Sequence, residues 1–105
     1  MRDRLDSTHC AAKLKALAEP ERLKIIQCLQ TGPRNVTEIS SLLDNELANI
    51  SHHLGVLRRA GLVRTEKQGK FVVYSLEPGM VQTGRQGNDA GSLDLGCCRL
   101  EWGHD

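Results

Sequence analysis

Residues 46–76 read ELANISHHLGVLRRAGLVRTEKQGKFVVYSL, and this stretch decides the fold. Ile50, Leu54 and Leu57 recur at steps of four and three, so one face of a helix from about Leu47 is apolar. Ala48, Asn49, Ser51 and His52 fall near the opposite, leading face. Ala60-Gly61 ends the helix, because glycine enters the left-handed conformation of a helix stop without penalty. Leu62–Glu66 and Phe71–Leu76 then alternate as strands around Lys67-Gln68-Gly69-Lys70, a basic turn. A helix followed at once by a basic hairpin outlines a winged helix-turn-helix. DNA is the first partner to consider.

The chain upstream supplies the support. Ser7-Thr8 can cap a helix running to about Ala18, with Leu14 and Leu17 on its apolar side. Glu19-Pro20 breaks it, and Pro20 suits the first turn of a second helix, Glu21–Gln30. After Thr31-Gly32-Pro33, Asn35 and Glu38 have capping-box spacing for a third helix, Val36–Leu43. Asp44-Asn45-Glu46 is then the turn before the recognition helix. The expected class is α+β, mainly helical, with a two-stranded wing and a Gly-rich, non-helical C-terminal tail. Residues 1–78 form the DNA-binding domain. Residues 79–105 form a flexible tail holding six of the ten glycines and a Cys-Cys pair, with strand-like patches at Leu93–Leu95 and Leu100–Trp102.

At 105 residues the chain has room for one core. With only Phe71, Tyr74 and Trp102 aromatic, Leu, Ile and Val must fill it. The net charge of +1 conceals an asymmetry. Between Leu47 and Lys70 five bases face one acid, whereas from Glu77 onward five acids face two bases. A basic head with an acidic tail suits a nucleic-acid binder. No apolar run approaches the ~20 residues that cross a bilayer, and MRDRLDSTHC lacks the apolar core of a secretory signal. A cytoplasmic setting follows as the expectation. There Cys10, Cys28, Cys97 and Cys98 suggest metal binding or redox sensing more than structural disulfides.

SHHLGVLRRAGLV with its KQGKFVVYSL wing, together with LKALAEPERLKIIQCL upstream, resembles the ArsR/SmtB family of bacterial winged-helix repressors. The likeness covers about Leu14–Leu76. It implies a homodimer on a palindromic operator, released by a metal ion, a metalloid or another small signal. It also implies that Asn49, Ser51 and His52 face the major groove while Lys67 and Lys70 follow the backbone. Two departures stand out. Where many members carry a Cys-x-Cys metal motif, this chain reads Asn35-Val36-Thr37-Glu38, and its tail is too rich in glycine for the family's long C-terminal helix.

Chemically, Asn49 and Ser51 can read base edges. Arg58, Arg59, Arg64, Lys67 and Lys70 suit phosphates, which position without specifying sequence. His52 and His53 point about 100° apart on a helix and do not chelate one ion together, so His52 is expected toward DNA and His53 against the domain. Cys28 sits in an apolar stripe as a small hydrophobe. Cys97 and Cys98 can present two thiolates to one soft centre, with Cys10 completing a three-thiol set and His9 or His104 adding nitrogen. Zinc and copper(I) are candidate effectors on softness, and arsenite is one that the resemblance implies. The alternatives are a structural zinc site, an apolar patch with incidental thiols, a redox-responsive or ligand-independent repressor, and a winged-helix protein-interaction module. No cysteine is paired with a credible base and no phosphate-cradling Gly motif occurs, so an enzyme is not expected.

Overall fold

The computed structural model describes residues 7–80 and 92–101. In chain order the elements are α1 (Ser7–Leu17), α2 (Pro20–Leu29), β1 (Arg34–Asn35), α3 (Val36–Leu43) and α4 (Leu47–Arg59). They continue with β2 (Val63–Gln68), β3 (Phe71–Leu76), β4 (Ser92–Asp94) and β5 (Arg99–Glu101). This is a winged helix-turn-helix, as the sequence leads one to expect.

Local chemistry sets the helix ends. Glu19 caps α2 by accepting from the Arg22 amide, with Pro20 in the first turn, where its missing N–H costs nothing. The capping box forms as the spacing requires. Asn35 Oδ1 accepts from the Glu38 amide at 2.8 Å, and Glu38 Oε1 accepts from the Asn35 amide at 2.9 Å. The end of α4 is a Schellman motif. Gly61 takes a φ of +80°, its amide donates to the Arg58 carbonyl, and the Leu62 amide donates to the Leu57 carbonyl at 2.9 Å. Leu57 and Leu62 are both fully buried, which supplies the apolar contact of that motif.

The wing differs from the sequence reading in two details. Gln68 pairs with Phe71, so its turn is the two residues Gly69-Lys70, with glycine at φ +61° in the first central position. The sheet also has a third strand, in the order β1-β3-β2, with Arg34 opposite Tyr74 and Asn35 opposite Val73. A two-residue strand is too short to show alternation, so nothing in the sequence marked β1. It covers the outer edge of β3 and ties the wing to the start of α3.

The core is aliphatic. Ile25, Ile26 and Leu29 of α2, Ile39 of α3 and Ile50, Leu54 and Leu57 of α4 meet Leu62, Val63 and Leu76. Leu93 and Leu95, from the far end of the chain, complete it. They belong to the β4–β5 hairpin, a second sheet in which Leu93 stands opposite Leu100, with Leu95 at the start of its turn. Gln30 Nε2 donates to the Ser92 carbonyl at 2.7 Å, and Lys13 Nζ donates to the Leu95 carbonyl at 3.1 Å, so α1 and α2 both hold it. Of the expected flexible tail, 79–105, residues 81–91 and 102–105 lie outside the described residues, Trp102 and His104 among them.

Candidate nucleic-acid interface

The helix-turn-helix is set by its turn. Asp44 closes α3 in the left-handed conformation at φ +52°. Asn45 then binds three elements at once. Its Nδ2 donates to Glu21 Oε1 on α2 at 2.9 Å, its Oδ1 accepts from the Glu46 amide and from Asn49 Nδ2, and its carbonyl accepts from the Ser40 hydroxyl. The Asn45 bond, with Lys24 second, holds the Glu21 carboxyl below its ordinary range. The sequence marked 44–46 only as a turn. An Asn in a turn bonds nearby backbone readily, but its reach to a helix 24 residues earlier is tertiary.

On α4, Ile50, Leu54 and Leu57 are fully buried and fix the helix's rotation. Asn49, Ser51, His52, Arg58 and Arg59 are all exposed, whereas His53 is half-buried. At roughly 100° per residue, the middle of the open face belongs to Ala48, His52, Gly55 and Arg59. Asn49 and Ser51 lie on opposite flanks, roughly 80° to either side. Asn49 and Ser51 are thus not neighbours, and Arg59 stands where the sequence reading placed only base-reading residues. The side chain of Arg59 lies across Gly55, its Nη1 3.3 Å from where a Cβ at Gly55 would be. Ala48, which the sequence also put on this face, and Gly55, which the sequence reading did not single out, are the small residues at its centre.

Arg64 at the base of the wing and Lys67 and Lys70 at its tip are exposed. Among the described residues, neither these nor Arg58 and Arg59 form an ion pair, so five positive charges face outward unneutralised. His53 turns inward, its Nδ1 3.2 Å from Arg22 Nη1 and its Nε2 4.0 Å from Glu19. Arg22 Nε also donates to the Ala16 carbonyl, so one guanidinium joins the end of α1 to α4.

Known proteins resemble this chain in sequence and fold. A family model described as a helix-turn-helix domain matches residues 17–66. The chain is 44% identical over 66 residues to the HTH-type transcriptional regulator NmtR of Mycobacterium tuberculosis, covering 63% of this chain and 55% of that protein. It is 42% identical to the arsenical resistance operon repressor of Escherichia coli, covering 61% and 56%. It is 32% identical to the transcriptional repressor SdpR of Bacillus subtilis, covering 65% and 76%. Among solved structures, HlyU of Vibrio cholerae superposes with a TM-score of 0.69 at 37% identity, covering 75% of this chain and 86% of that one. A homodimeric winged helix-turn-helix DNA-binding domain from Mycobacterium bovis gives 0.66 at 31% identity, covering 72% of each. The chain belongs to the ArsR/SmtB family.

Its relatives there are transcriptional regulators and not enzymes. The chain spans about half the length of the first of them, 55% of NmtR. Among the described residues, no helix of this ArsR/SmtB chain is long and apolar enough to cross a membrane.

The cysteines gather away from α4. Cys10 on α1 and Cys97 in the β4–β5 turn form a disulfide, with Cα atoms 5.9 Å apart. The sequence favoured metal binding or redox sensing over structural disulfides for these cysteines, and the structure joins two of them directly. The buried hairpin brings the turn back onto α1, which sequence spacing could not reveal across 87 residues. Cys98 is free, with its Sγ 3.5 Å from Cys10 Sγ. The three sulfurs lie within 4.8 Å of one another. His9 is exposed and stands outside this group. Cys28 is half-buried against the core, and burial pushes its thiol up from its ordinary 9.0, as suits a packing residue.

Proposed function

We propose that this chain is a repressor that binds operator DNA as a homodimer, with α4 in the major groove and the β2–β3 wing along the backbone. The observation that carries it is the open face of α4, backed by the buried Ile50, Leu54 and Leu57, together with five exposed bases that form no ion pair among the described residues. His52 and Arg59 meet base edges at the centre, and Asn49 and Ser51 read to either side. Arg58, Arg64, Lys67 and Lys70 contact phosphates. The homodimeric Mycobacterium bovis neighbour supports two such heads. These would read the halves of a palindrome about 10 base pairs apart.

The effector is a thiophilic metal ion or arsenite acting at Cys10, Cys97 and Cys98. The clustering of their sulfurs supports this, as does a relative named for arsenical resistance. To release DNA, the effector must favour the DNA-free shape. Arg22, bonded to the last turn of α1 and to His53 of α4, gives the signal a physical route. The disulfide favours a second reading, in which oxidation of the same sulfurs is itself the signal.

Fluorescence anisotropy of the reduced protein on its own promoter DNA tests the core of this. Nanomolar binding that weakens steeply with salt is expected. No binding even at low salt overturns the reading and leaves a protein-interaction module.

A further inference from the structure

We propose that Cys10, Cys97 and Cys98 form a redox-gated metal site. When reduced, its three thiolates hold one soft ion; when oxidised, the Cys10–Cys97 disulfide closes it. This deepens the effector half of the reading above and rests on it only for its regulatory meaning.

A structural disulfide needs two sulfurs, yet here a third is placed against the bond. Thiolates around one ion, each about 2.3 Å from it, stand roughly 3.5–4 Å apart. Cys98 Sγ is 3.5 Å from Cys10 Sγ, so that pair already has ligand spacing while Cys10 is tied to Cys97. Reduction has only to let the Cys10–Cys97 pair separate by side-chain rotation.

The backbone is prepared for it. The turn between β4 and β5 is fixed by the Leu95 amide donating to the Cys98 carbonyl at 2.8 Å. The Gly96 amide donates to Asp94 Oδ1 at 2.8 Å, with Gly96 at φ +90°. That turn directs two adjacent cysteines toward one point on α1. Cys10 is nearly buried there and Cys97 and Cys98 are half-buried, so solvent competes weakly for an ion. Lys13, one helical turn after Cys10, sets its ammonium on the Leu95 carbonyl of the same turn. Its charge offsets the anionic site that three thiolates and a divalent ion create.

The two occupants exclude each other by electron count. On oxidation, two S–H bonds break and the Cys10–Cys97 bond forms. Two electrons and two protons pass to a small-molecule disulfide, whose S–S bond breaks to give two thiols. Binding a divalent ion to the reduced form instead releases three protons and leaves a site of net charge −1. After oxidation only Cys98 remains as a thiolate donor, and one ligand does not hold the ion.

Cadmium alone serves as the probe, titrated into the full chain and followed by sulfur-to-cadmium ultraviolet absorption. Reduced wild-type protein is expected to bind one ion per chain with the absorption of three thiolates. After oxidation by glutathione disulfide the affinity should fall at least 100-fold, and a reductant should restore it. Cys98→Ser should still form the Cys10–Cys97 link, seen by non-reducing peptide mass mapping, yet bind cadmium at least tenfold more weakly. Cys28→Ser should bind as wild type, and circular dichroism controls for the fold of each variant. Equal binding by oxidised and reduced protein overturns the proposal. So does undiminished binding by Cys98→Ser, a requirement for Cys28, or an oxidised peptide map without the Cys10–Cys97 link. No DNA enters the assay, so its failure and a failure to bind the operator are separate results.

Discussion

Arg22 Nη1 stands 3.2 Å from Nδ1 of His53, while the same guanidinium donates through Nε to the Ala16 carbonyl. A guanidinium can only donate, so His53 Nδ1 accepts and its proton is on Nε2, toward Glu19. One side chain thus satisfies the open end of α1 and bonds to α4. Arg22→Ala should destabilise the fold by about 1–3 kcal/mol, the range for a lost charged hydrogen bond with its partners left unpaired. Urea denaturation measures this. Arg22→Lys should not restore the loss, because an ammonium lacks the fork that spans both partners.

Acid should loosen the helix-turn-helix through Glu21. Its carboxyl is held below its ordinary 4.5, first by the Asn45 side-chain bond and then by Lys24. A carboxylate favoured in the folded state contributes stability that is complete above that ordinary value. The contribution is lost as the pH falls through the lower, folded value. Thermal melts from pH 7 to pH 3 should show an acid limb that is shallower in Glu21→Gln. An unchanged limb would mean that the Asn45 bond does not discriminate between the charged and neutral acid.

On the proposed interface, bases and amides should fail differently. Lys67→Ala with Lys70→Ala should weaken binding to all sequences alike, lowering the slope of log K against log salt by about 0.9 for each phosphate contact removed. Asn49→Ala should leave that slope unchanged and cost about 1–3 kcal/mol on the cognate operator, with little effect on unrelated DNA. Anisotropy titrations at several salt concentrations separate the two.

Gly55→Ala should move stability and DNA binding in opposite directions. Alanine in a helix interior is better than glycine by about 0.5–1 kcal/mol. The added methyl meets only the far end of Arg59, 3.3 Å away, which can swing aside. The same methyl stands in the middle of the open face of α4, where it should weaken operator binding. A variant both more stable and equally tight on DNA would move the contact away from the centre of that face.

Leu93 is fully buried although it comes from a Gly-rich segment. Leu93→Ala should cost about 2–5 kcal/mol, as a truncated core leucine does, and denaturant unfolding will measure it. A cost under 1 kcal/mol would mean that the hairpin detaches from the core at little expense.

What the sequence made legible was local. The i, i+3, i+4 rhythm of Ile50, Leu54 and Leu57, the Asn35–Glu38 box and the Gly61 stop each operate within a few residues. All three appear where periodicity and cap chemistry put them. Across longer separations the reading thinned. Asn45 meets Glu21, Arg22 meets His53 and Cys10 meets Cys97 only because the helices pack as they do. No residue spacing encodes those distances. The strand-like patches around Cys97 and Cys98 were readable as short apolar runs, and they form β4 and β5. Their burial against α1 and α2 was not readable, because three-residue strands carry too little pattern to name their partner.

The Cys10–Cys97 bond also makes most of this chain a covalent ring. A single cut anywhere inside it, even at the exposed Gly69-Lys70 turn, opens the ring without producing two particles. A protease that clips the wing of the oxidised protein therefore leaves its mass and its packed helices together, and fragments part only when a reductant is added. In such a molecule, damage to the wing and loss of the polypeptide are separate events.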